Sequence, residues 1–435
     1  MTSGSVPGTP GSAGRSLHDW LAYIESRHPK AIDMGLERVR EAAGRLSLLK
    51  LPFPVITVGG TNGKGSTCAM LETMLASAGH RTGCYTSPHL VHYNERVRVD
   101  RRQANDEELC DAFEAVENAR GDITLTYFEF GTLAAVRHFI RMQVDVAILE
   151  VGLGGRLDAV NVFDADCAVV TSVGIDHTDY LGTTRESIGF EKAGISRGGR
   201  PAVIGDPEPP DSLVRHALDV GAILMRAGAD FRGVIEEGQW RYEGPGGLRA
   251  GLPFPALRGA YQVSNAAVAI TALDTLRDRI PVSAGALREG LLAVSLPGRF
   301  QVLAGRPSTI LDVAHNPHAA RAFAQTLGQM ERARRTVAVF GMLQDKDIAA
   351  VVRELRPHVD CWNLAPLPGV RGASVDILER ALDDAGVLDE IRRYDDVASA
   401  FDAARAEAHA DDRILVIGSF LTVSQALASL SRRDH

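Results

Sequence analysis

Pro54-Val-Ile-Thr-Val58 runs straight into Gly59-Gly60-Thr61-Asn62-Gly63-Lys64-Gly65-Ser66-Thr67, and that loop runs into the helical segment Cys68 to Ala78. The first five residues have the composition of a short buried strand. Four glycines in the next nine residues let the backbone turn several N–H groups toward one point. Strand, glycine loop and helix in that order make an anion cradle, because the loop amides and the positive end of the helix face the same phosphate. Lys64 adds a mobile cation for β- and γ-phosphates, and the hydroxyl of Ser66 or Thr67 reaches a phosphate oxygen or a metal ion. The G-x-x-x-x-G-K-[ST] spacing is not met: Val58 stands where its first glycine belongs, and Gly65 separates Lys64 from Ser66. The loop is therefore a variant. A plain turn between strand and helix is the bland alternative, and a lysine among four glycines directly after an apolar strand weighs against it.

Outward from the loop, Val144 to Glu150 and Cys167 to Ser172 are further strand-like runs separated by helical stretches, the alternation of a mostly parallel α/β sheet. Glu150 ends one strand and enters Val151-Gly-Leu-Gly-Gly155-Arg-Leu-Asp158; His177 follows the next in Ser172-Val-Gly-Ile-Asp176-His177. Both stand at a strand's C-terminal edge, where open α/β sheets bind ligands. Glu150 suits Mg²⁺. By themselves, His177 reads as a structural histidine, since Mg²⁺ prefers oxygen, and Lys192 reads as a solvated helix residue. Upstream, Ser16 caps a helix with its apolar stripe at Leu17, Trp20, Leu21 and Ile24, and a second amphipathic segment spans about Asp33 to Leu46. Downstream, Phe231 to Pro255 reads as a small antiparallel flap. Leu296 to Phe300 is a turn-rich break, followed by strands at Thr309–Val313, Thr336–Phe340, Val359–Leu364 and Arg413–Ile417. These runs predict an N-terminal P-loop ATPase-like domain over 16–295 and a smaller Rossmann-like α/β domain over 296–435, with a hinge near Ser295.

With 435 residues, 45% apolar and 23% charged, the chain has the balance of a globular protein with more than one core. A formal charge of −8 gives no broad basic face for nucleic acid, and no apolar run is long enough to span a bilayer. The Gly/Ser/Pro-rich residues 1–15 read as a disordered tail without a secretory h-region. Five cysteines, odd in number and without a CxxC pair, fit a reducing cytoplasm.

The motifs VGGTNGKGST, TSPHLVHYNERVRVD, TYFEFGTLAA, LEVGLGGRLDAVN, TSVGIDHTDYLG, ESIGFEKAGI, LPGRF, DVAHNPHAA and GMLQDKD span almost the whole chain. Together they resemble the folylpolyglutamate synthase and dihydrofolate synthase branch of the Mur ligase superfamily. The resemblance implies that Gly60, Thr61, Asn62, Gly63, Lys64, Gly65, Ser66 and Thr67 bind ATP, joined by Asn265 and, from the second domain, Arg299, Asp312 and His315. It implies that Ser87, Glu150 and His177 hold Mg²⁺, with two ions expected, and that Lys192 is carbamylated by CO2 into a further ligand. Lys64, Lys192 and His177 are the implied catalytic set. Ile32-Asp33-Met34, Thr126-Tyr127-Phe128-Glu129 and Leu157-Asp158-Ala159 resemble the segments lining a dihydropteroate site. Tyr127 and Phe128 would offer flat faces to a ring, and Asp33 or Glu129 would accept from pterin nitrogens. The bland alternatives are a helix cap for Asp33 and Asn265, core packing for the aromatic pair, and a surface ion pair for Arg299.

The activity so implied is ATP-dependent ligation of L-glutamate to dihydropteroate and to reduced folates through an acyl phosphate, by a cytoplasmic monomer with neither nucleic acid nor membrane as partner. Three rivals are weighed against it. A regulatory NTPase needs only the phosphate loop. A cell-wall Mur enzyme should carry its own UDP-binding domain, whereas only about fifty residues precede the loop. A dead binding protein would not be expected to keep Lys64, Glu150, His177 and Lys192 together.

Overall fold

The structure, a computed structural model, describes residues 14–30 and 32–431. The tail expected over 1–15 lies almost wholly outside the described residues. Eight strands form the first sheet: β1 (Val55–Gly59), β2 (Thr82–Tyr85), β3 (Val97–Val99), β4 (Arg102–Gln103), β5 (Val146–Glu150), β6 (Cys167–Val170), β7 (Pro201–Ile204) and β8 (Ile223–Arg226). Their order is β4-β3-β2-β5-β1-β6-β7-β8, parallel except for the antiparallel edge made by β3 and β4. Side chains alternate between two cores: Val146 and Ile148 of β5 join one, Ala147 and Leu149 the other. Helices cover both faces, which is why these strands read as unbroken apolar runs.

Register sets the site. β1 pairs with β5 so that Val58 lies opposite Glu150, and with β6 so that Gly59 lies opposite Val170. The glycine loop, Glu150 and the loop after β6 therefore leave the sheet side by side.

The helix after the loop spans Lys64–Ser77 and begins four residues before the expected Cys68. Gly63 caps it in the left-handed conformation (φ +85°), so Lys64 to Thr67 form its first turn; Thr67 N already donates to Gly63 O at 2.9 Å, and the amides that helix geometry leaves over are those of Gly63 to Ser66. The second amphipathic segment is shorter than expected, Glu37–Arg45, and Asp33 does not cap it; that N-cap is Leu36, with no side-chain bond. The flap forms from β9 (Arg232–Glu236), β10 (Gln239–Gly244) and β11 (Gly247–Leu252), antiparallel throughout. Trp240 and Tyr242 are buried there, and the Tyr242 hydroxyl meets Thr271 Oγ1 of helix Tyr261–Thr275 at 2.9 Å.

Beyond helix Ala284–Ala293 the chain crosses to a six-stranded sheet through residues 294–300, where Gly298 and Phe300 take positive φ. Its strands are β12 (Gln301–Leu303), β13 (Ser308–Asp312), β14 (Thr336–Phe340), β15 (Cys361–Leu364), β16 (Glu390–Arg393) and β17 (Arg413–Ile417), in the order β12-β13-β17-β14-β15-β16. Only β12 runs antiparallel. Thus the chain builds two α/β domains, the second smaller. Among the described residues no helix is long and apolar enough to cross a membrane, and all five cysteines are free.

Helix Ala284–Ala293 crosses helix Lys64–Ser77 at Gly290, where a Cβ would come within 2.6 Å of the Met74 Cα. Because that neighbour is backbone, Gly290→Ala must push the two helices apart and should cost about 1–3 kcal/mol of stability, read as a lowered urea midpoint.

Candidate active site between the domains

A cavity of about 1140 Å³ opens where the C-terminal ends of the first sheet's strands face the second domain. At its centre the glycine loop is bound to the loop after β6: Thr61 N donates to Ser172 O (2.8 Å), Asn62 N to Ser172 Oγ (3.1 Å), and Thr171 Oγ1 to Asn62 O (2.6 Å). Gly60 passes so close that a Cβ would lie 1.9 Å from Thr171 Oγ1, and its φ of +142° excludes other residues as well. Lys64 Nζ donates back to Gly60 O (3.1 Å) and Thr61 O (3.3 Å), holding its charge over the loop. Thr67 is wholly buried behind the loop, and its Oγ1 has no hydrogen-bond partner.

Glu150 is buried in the cavity wall, and Ser87 N donates to its Oε2 at 2.9 Å. Burial pushes its carboxyl up while Lys64, the Ser87 amide and Arg299 pull it down. No cation of the described residues lies within ion-pair distance of it. Lys192 is buried too, near the end of helix Arg185–Ala193, which packs tightly against the 152–158 loop: a Cβ on Gly155 would sit 3.2 Å from Lys192 Cα. Burial, then the charge of Lys64, pushes the Lys192 amine down to about 7. His177, with φ +52°, caps a short helix and is held neutral, its pKa pushed down to about 4 chiefly by burial.

Asp176 joins the domains. It accepts from Lys346 Nζ (2.5 Å) and Asn316 Nδ2 (3.2 Å), both of the second domain, and from its neighbour's amide, His177 N (2.8 Å). Burial opposes its ionisation, but the His315 ring 3.7 Å away and the charges of His177 and Lys346 hold it well below the usual carboxylate range. Asn62 and Asn316 exchange amide bonds across the same gap at 3.1 and 3.0 Å. Asp312 is buried, accepting from Phe300 N (2.7 Å) and Ala314 N (2.8 Å), and Arg299 lies over the Phe420 ring at 4.9 Å. Arg299 thus belongs to the cavity wall rather than to a surface ion pair. Asn265 lies inside helix Tyr261–Thr275 and caps nothing; its Oδ1 would be 2.6 Å from a Cβ on Gly63.

The far end is more apolar. Ile32, Met34, Phe128, Leu157 and Ala159 line it. Asp33 pairs with His28 and Arg38, and Arg38 reaches Glu129, whose carboxylate also closes the capping box of Thr126. Asp158 spends both oxygens on the amides of Leu153 and Val160, organising its own loop, and burial pushes its carboxyl up to about 7. One expectation fails: Tyr127 does not line the cavity but packs edge-on against Tyr93 and under Arg96. Its place at the first position of the helix turns it away, whereas Phe128 points in. Thr67 likewise lies behind the lining; every other expected site residue lines this one cavity. Among the described residues no three His, Cys, Asp or Glu side chains cluster to hold a metal, so any ion here draws on other ligand types as well.

Residues 58–204 match the Mur ligase middle domain, and residues 298–420 match the Mur ligase glutamate ligase domain. The chain is 47% identical to a dihydrofolate synthase/folylpolyglutamate synthase of Escherichia coli, over 97% of each chain. The chain belongs to the dihydrofolate synthase/folylpolyglutamate synthase family. Two solved members agree in shape. E. coli FolC in complex with DHPP and ADP superposes with a TM-score of 0.92 at 47% identity, covering 98% of this chain and 100% of that one. The Yersinia pestis bifunctional folylpolyglutamate synthase/dihydrofolate synthase complexed with AMPPNP and Mn ion gives 0.90 at 46%, with the same coverage.

For this family member, sequence reasoning passed over Lys346, Asn316, Phe420 and Arg96. Lys346 sits in the quoted GMLQDKD, yet a lysine among polar residues reads as solvated, and only the fold shows its side chain 6% exposed. Arg96 sits in TSPHLVHYNERVRVD; its Nε donates to His89 Nδ1 at 2.8 Å. Burial, then the charge of Arg96, pushes His89 down to about 4, so the folded ring stays neutral while the unfolded chain takes up a proton. Stability contributed by the neutral ring is therefore present above pH 6.5 and lost as pH falls toward about 4. His89→Gln keeps an acceptor for Arg96 and removes that titration. Urea midpoints measured across this pH range should fall less steeply in the variant than in the parent.

Proposed function

We propose that the chain uses ATP to join L-glutamate to dihydropteroate, making dihydrofolate, and to the γ-carboxyl of reduced folates. The observation that carries this reading is one continuous cavity whose middle is a phosphate loop, whose apolar end is walled by Phe128 and Leu157, and whose roof is the second domain. A regulatory NTPase has no use for the apolar end. The ligands of the relatives, DHPP and ADP in one and AMPPNP and Mn in another, support the same reading.

A carboxylate is a poor electrophile until one oxygen becomes a leaving group. An acceptor carboxylate oxygen attacks the γ-phosphorus of ATP, the bond to the bridging oxygen breaks, and ADP leaves an acyl phosphate. The glutamate amine then attacks the acyl carbon, phosphate departs, and the nitrogen sheds its proton. Two anions meet in the first step, so positive charge must be in place beforehand. Lys64 and the amides of Gly63 to Ser66 supply it, the rest of the loop from Gly60 to Thr67 shaping the cradle, and Asn265, Arg299, Asp312 and His315 hold the rest of the nucleotide across the two domains. Closure of the domains keeps water from the acyl phosphate. Ile32 to Met34, Thr126, Phe128, Glu129 and Leu157 to Ala159 hold the pterin end.

The residues present suit Mg²⁺: Glu150 is a buried carboxylate that lines the cavity and has no cation of its own among the described residues. Ser87, Glu150, His177 and Lys192 would hold two ions, which when bound neutralise the phosphoryl oxygens. Lys192 would serve as a carbamate. Its nitrogen, in the neutral form that burial favours, adds to CO2 and releases one proton, turning an uncharged amine near Lys64 into an anion. A cytoplasmic monomer completes the reading, the five free cysteines being in keeping with a reducing compartment.

Phosphate release with ATP, Mg²⁺ and glutamate should require an acceptor and proceed with both dihydropteroate and tetrahydrofolate; turnover with tetrahydrofolate alone would reduce the reading to a folylpolyglutamate synthase. Lys64→Ala should lose roughly 10²-fold or more in turnover while its melting curve stays cooperative. Lys192→Ala should be inactive and regain part of its turnover with a short carboxylic acid. Electron density for an unmodified amine at Lys192 in a crystal loaded with ATP and Mg²⁺ would end the carbamate assignment.

A further inference from the structure

The cavity wall carries several cations, and most have an internal account. Arg185 pairs with Asp206 at 3.0 Å and Arg321 with Glu354 at 2.6 Å. Lys64, Lys192 and Arg299 surround the phosphate loop and Glu150. Arg96 is different. It lines the same cavity as Pro88 and Phe128, and among the described residues it pairs with no carboxylate.

Its position is fixed without one. Nε donates to His89 Nδ1 at 2.8 Å, and the guanidinium lies over the rings of Tyr93 (5.3 Å) and Tyr127 (5.5 Å). The adjacent Glu95 cannot neutralise it, because both Glu95 oxygens accept amides of the preceding loop: Leu90 N, Val91 N and His92 N, each at 2.7 Å. The two terminal nitrogens of Arg96 donate to no acceptor among the described residues. A guanidinium held rigid by stacking and one hydrogen bond, with its fork left over, is built to take a carboxylate bidentately.

The backbone says where that carboxylate sits. Arg96 O accepts from Thr86 N at 2.9 Å, so Arg96 stands across from the residue before Ser87, whose own amide reaches Glu150. Arg96 thus lines the same cavity as Ser87, Glu150 and Lys64, at the head of the strand that pairs with the backbone leading into Ser87. Dihydropteroate has a single carboxylate, the one that reacts. A glutamylated folate presents two, the reacting γ-carboxylate and an α-carboxylate a few bonds away. We propose that Arg96 binds the α-carboxylate of the acceptor's terminal glutamate. It is thereby a specificity residue for chain extension rather than for the first glutamylation, and it meets the same group after every addition. The inference rests on the reading above that one cavity serves both acceptors.

The test crosses protein and substrate. KM and kcat are measured for dihydropteroate, tetrahydrofolate and the tetrahydrofolate analogue whose α-carboxylate is a carboxamide, with the parent, Arg96→Met and Arg96→Lys. The parent should disfavour the α-amide by roughly tenfold to a hundredfold in kcat/KM, the worth of a charge-assisted hydrogen bond. Arg96→Met should lose that preference, and its KM should rise at least about tenfold more for tetrahydrofolate than for dihydropteroate. Arg96→Lys should fall between. A parent indifferent to the α-amide overturns the proposal without any variant, which covers the case of a variant that does not fold. Equal losses on both acceptors, or an α-amide preference that survives in Arg96→Met, overturn it too. A parent that turns over neither acceptor instead removes the ligase reading, and one that accepts only tetrahydrofolate removes dual activity while leaving the α-amide comparison decisive for Arg96.

Discussion

β1 lies between β5 and β6 with Val58 opposite Glu150 and Gly59 opposite Val170, and that register decides what the cavity contains. Parallel neighbours end at one edge of the sheet, so three loops emerge together: the glycine loop, the stretch entered by Glu150, and Thr171 to His177. A slip of one residue along β5 would turn the Glu150 side chain to the opposite face. Close contact then does the rest. Gly60 against Thr171, Gly63 against Asn265 and Gly155 against Lys192 are approaches that any Cβ would obstruct, so each glycine draws one wall of the site toward another.

The walls so assembled hold charges that the protein does not neutralise by itself. Burial alone would favour a neutral Glu150 and a neutral Lys192, and the fold provides neither with an ion pair. Leaving charges uncompensated costs stability, as strained and desolvated sites generally do. The arrangement makes sense where bound anions and cations complete the balance. Asp33, Arg38 and Glu129, by contrast, satisfy one another, and Asp158 satisfies its own loop. Their part is to shape the apolar end, and they have less charge left over for a ligand.

What the sequence made legible follows from locality. The glycine loop, the apolar strands on either side and the residues at their ends are contiguous signals, and the structure brings them together in one cavity. Signals that depend on distant partners were not legible. Lys346 and Asn316 look solvated in the chain and gain meaning only when Asp176 and Asn62 arrive from the other domain. β16, Glu390-Ile-Arg-Arg393, is an edge strand whose charges protect it and also hide it from an apolar pattern. The first turn of helix Lys64–Ser77 was hidden by glycine's poor helix propensity, because propensity does not register that Gly63 caps it from the left-handed region. Tyr127 and Phe128 were read as a pair, yet consecutive residues on a helix point about 100° apart, and only one of them faces the cavity.

The contact between the domains follows the same economy of charge. Asp176 and Lys346 are each less than a tenth exposed while the domains meet. A pair of charges buried only by a closed interface gains little net energy from closing, because both are rehydrated when it opens. What such a pair supplies is alignment: the bond forms only when Lys346 enters at the right place, and the Asn62–Asn316 exchange makes the same demand one loop away. Asp176 also accepts the amide of His177, so the residue that receives the second domain is tied to one facing the phosphate loop. One orientation of the second domain satisfies both demands, and it sets Arg299, Asp312 and His315 in the wall of the cavity that holds the glycine loop ahead of Lys64.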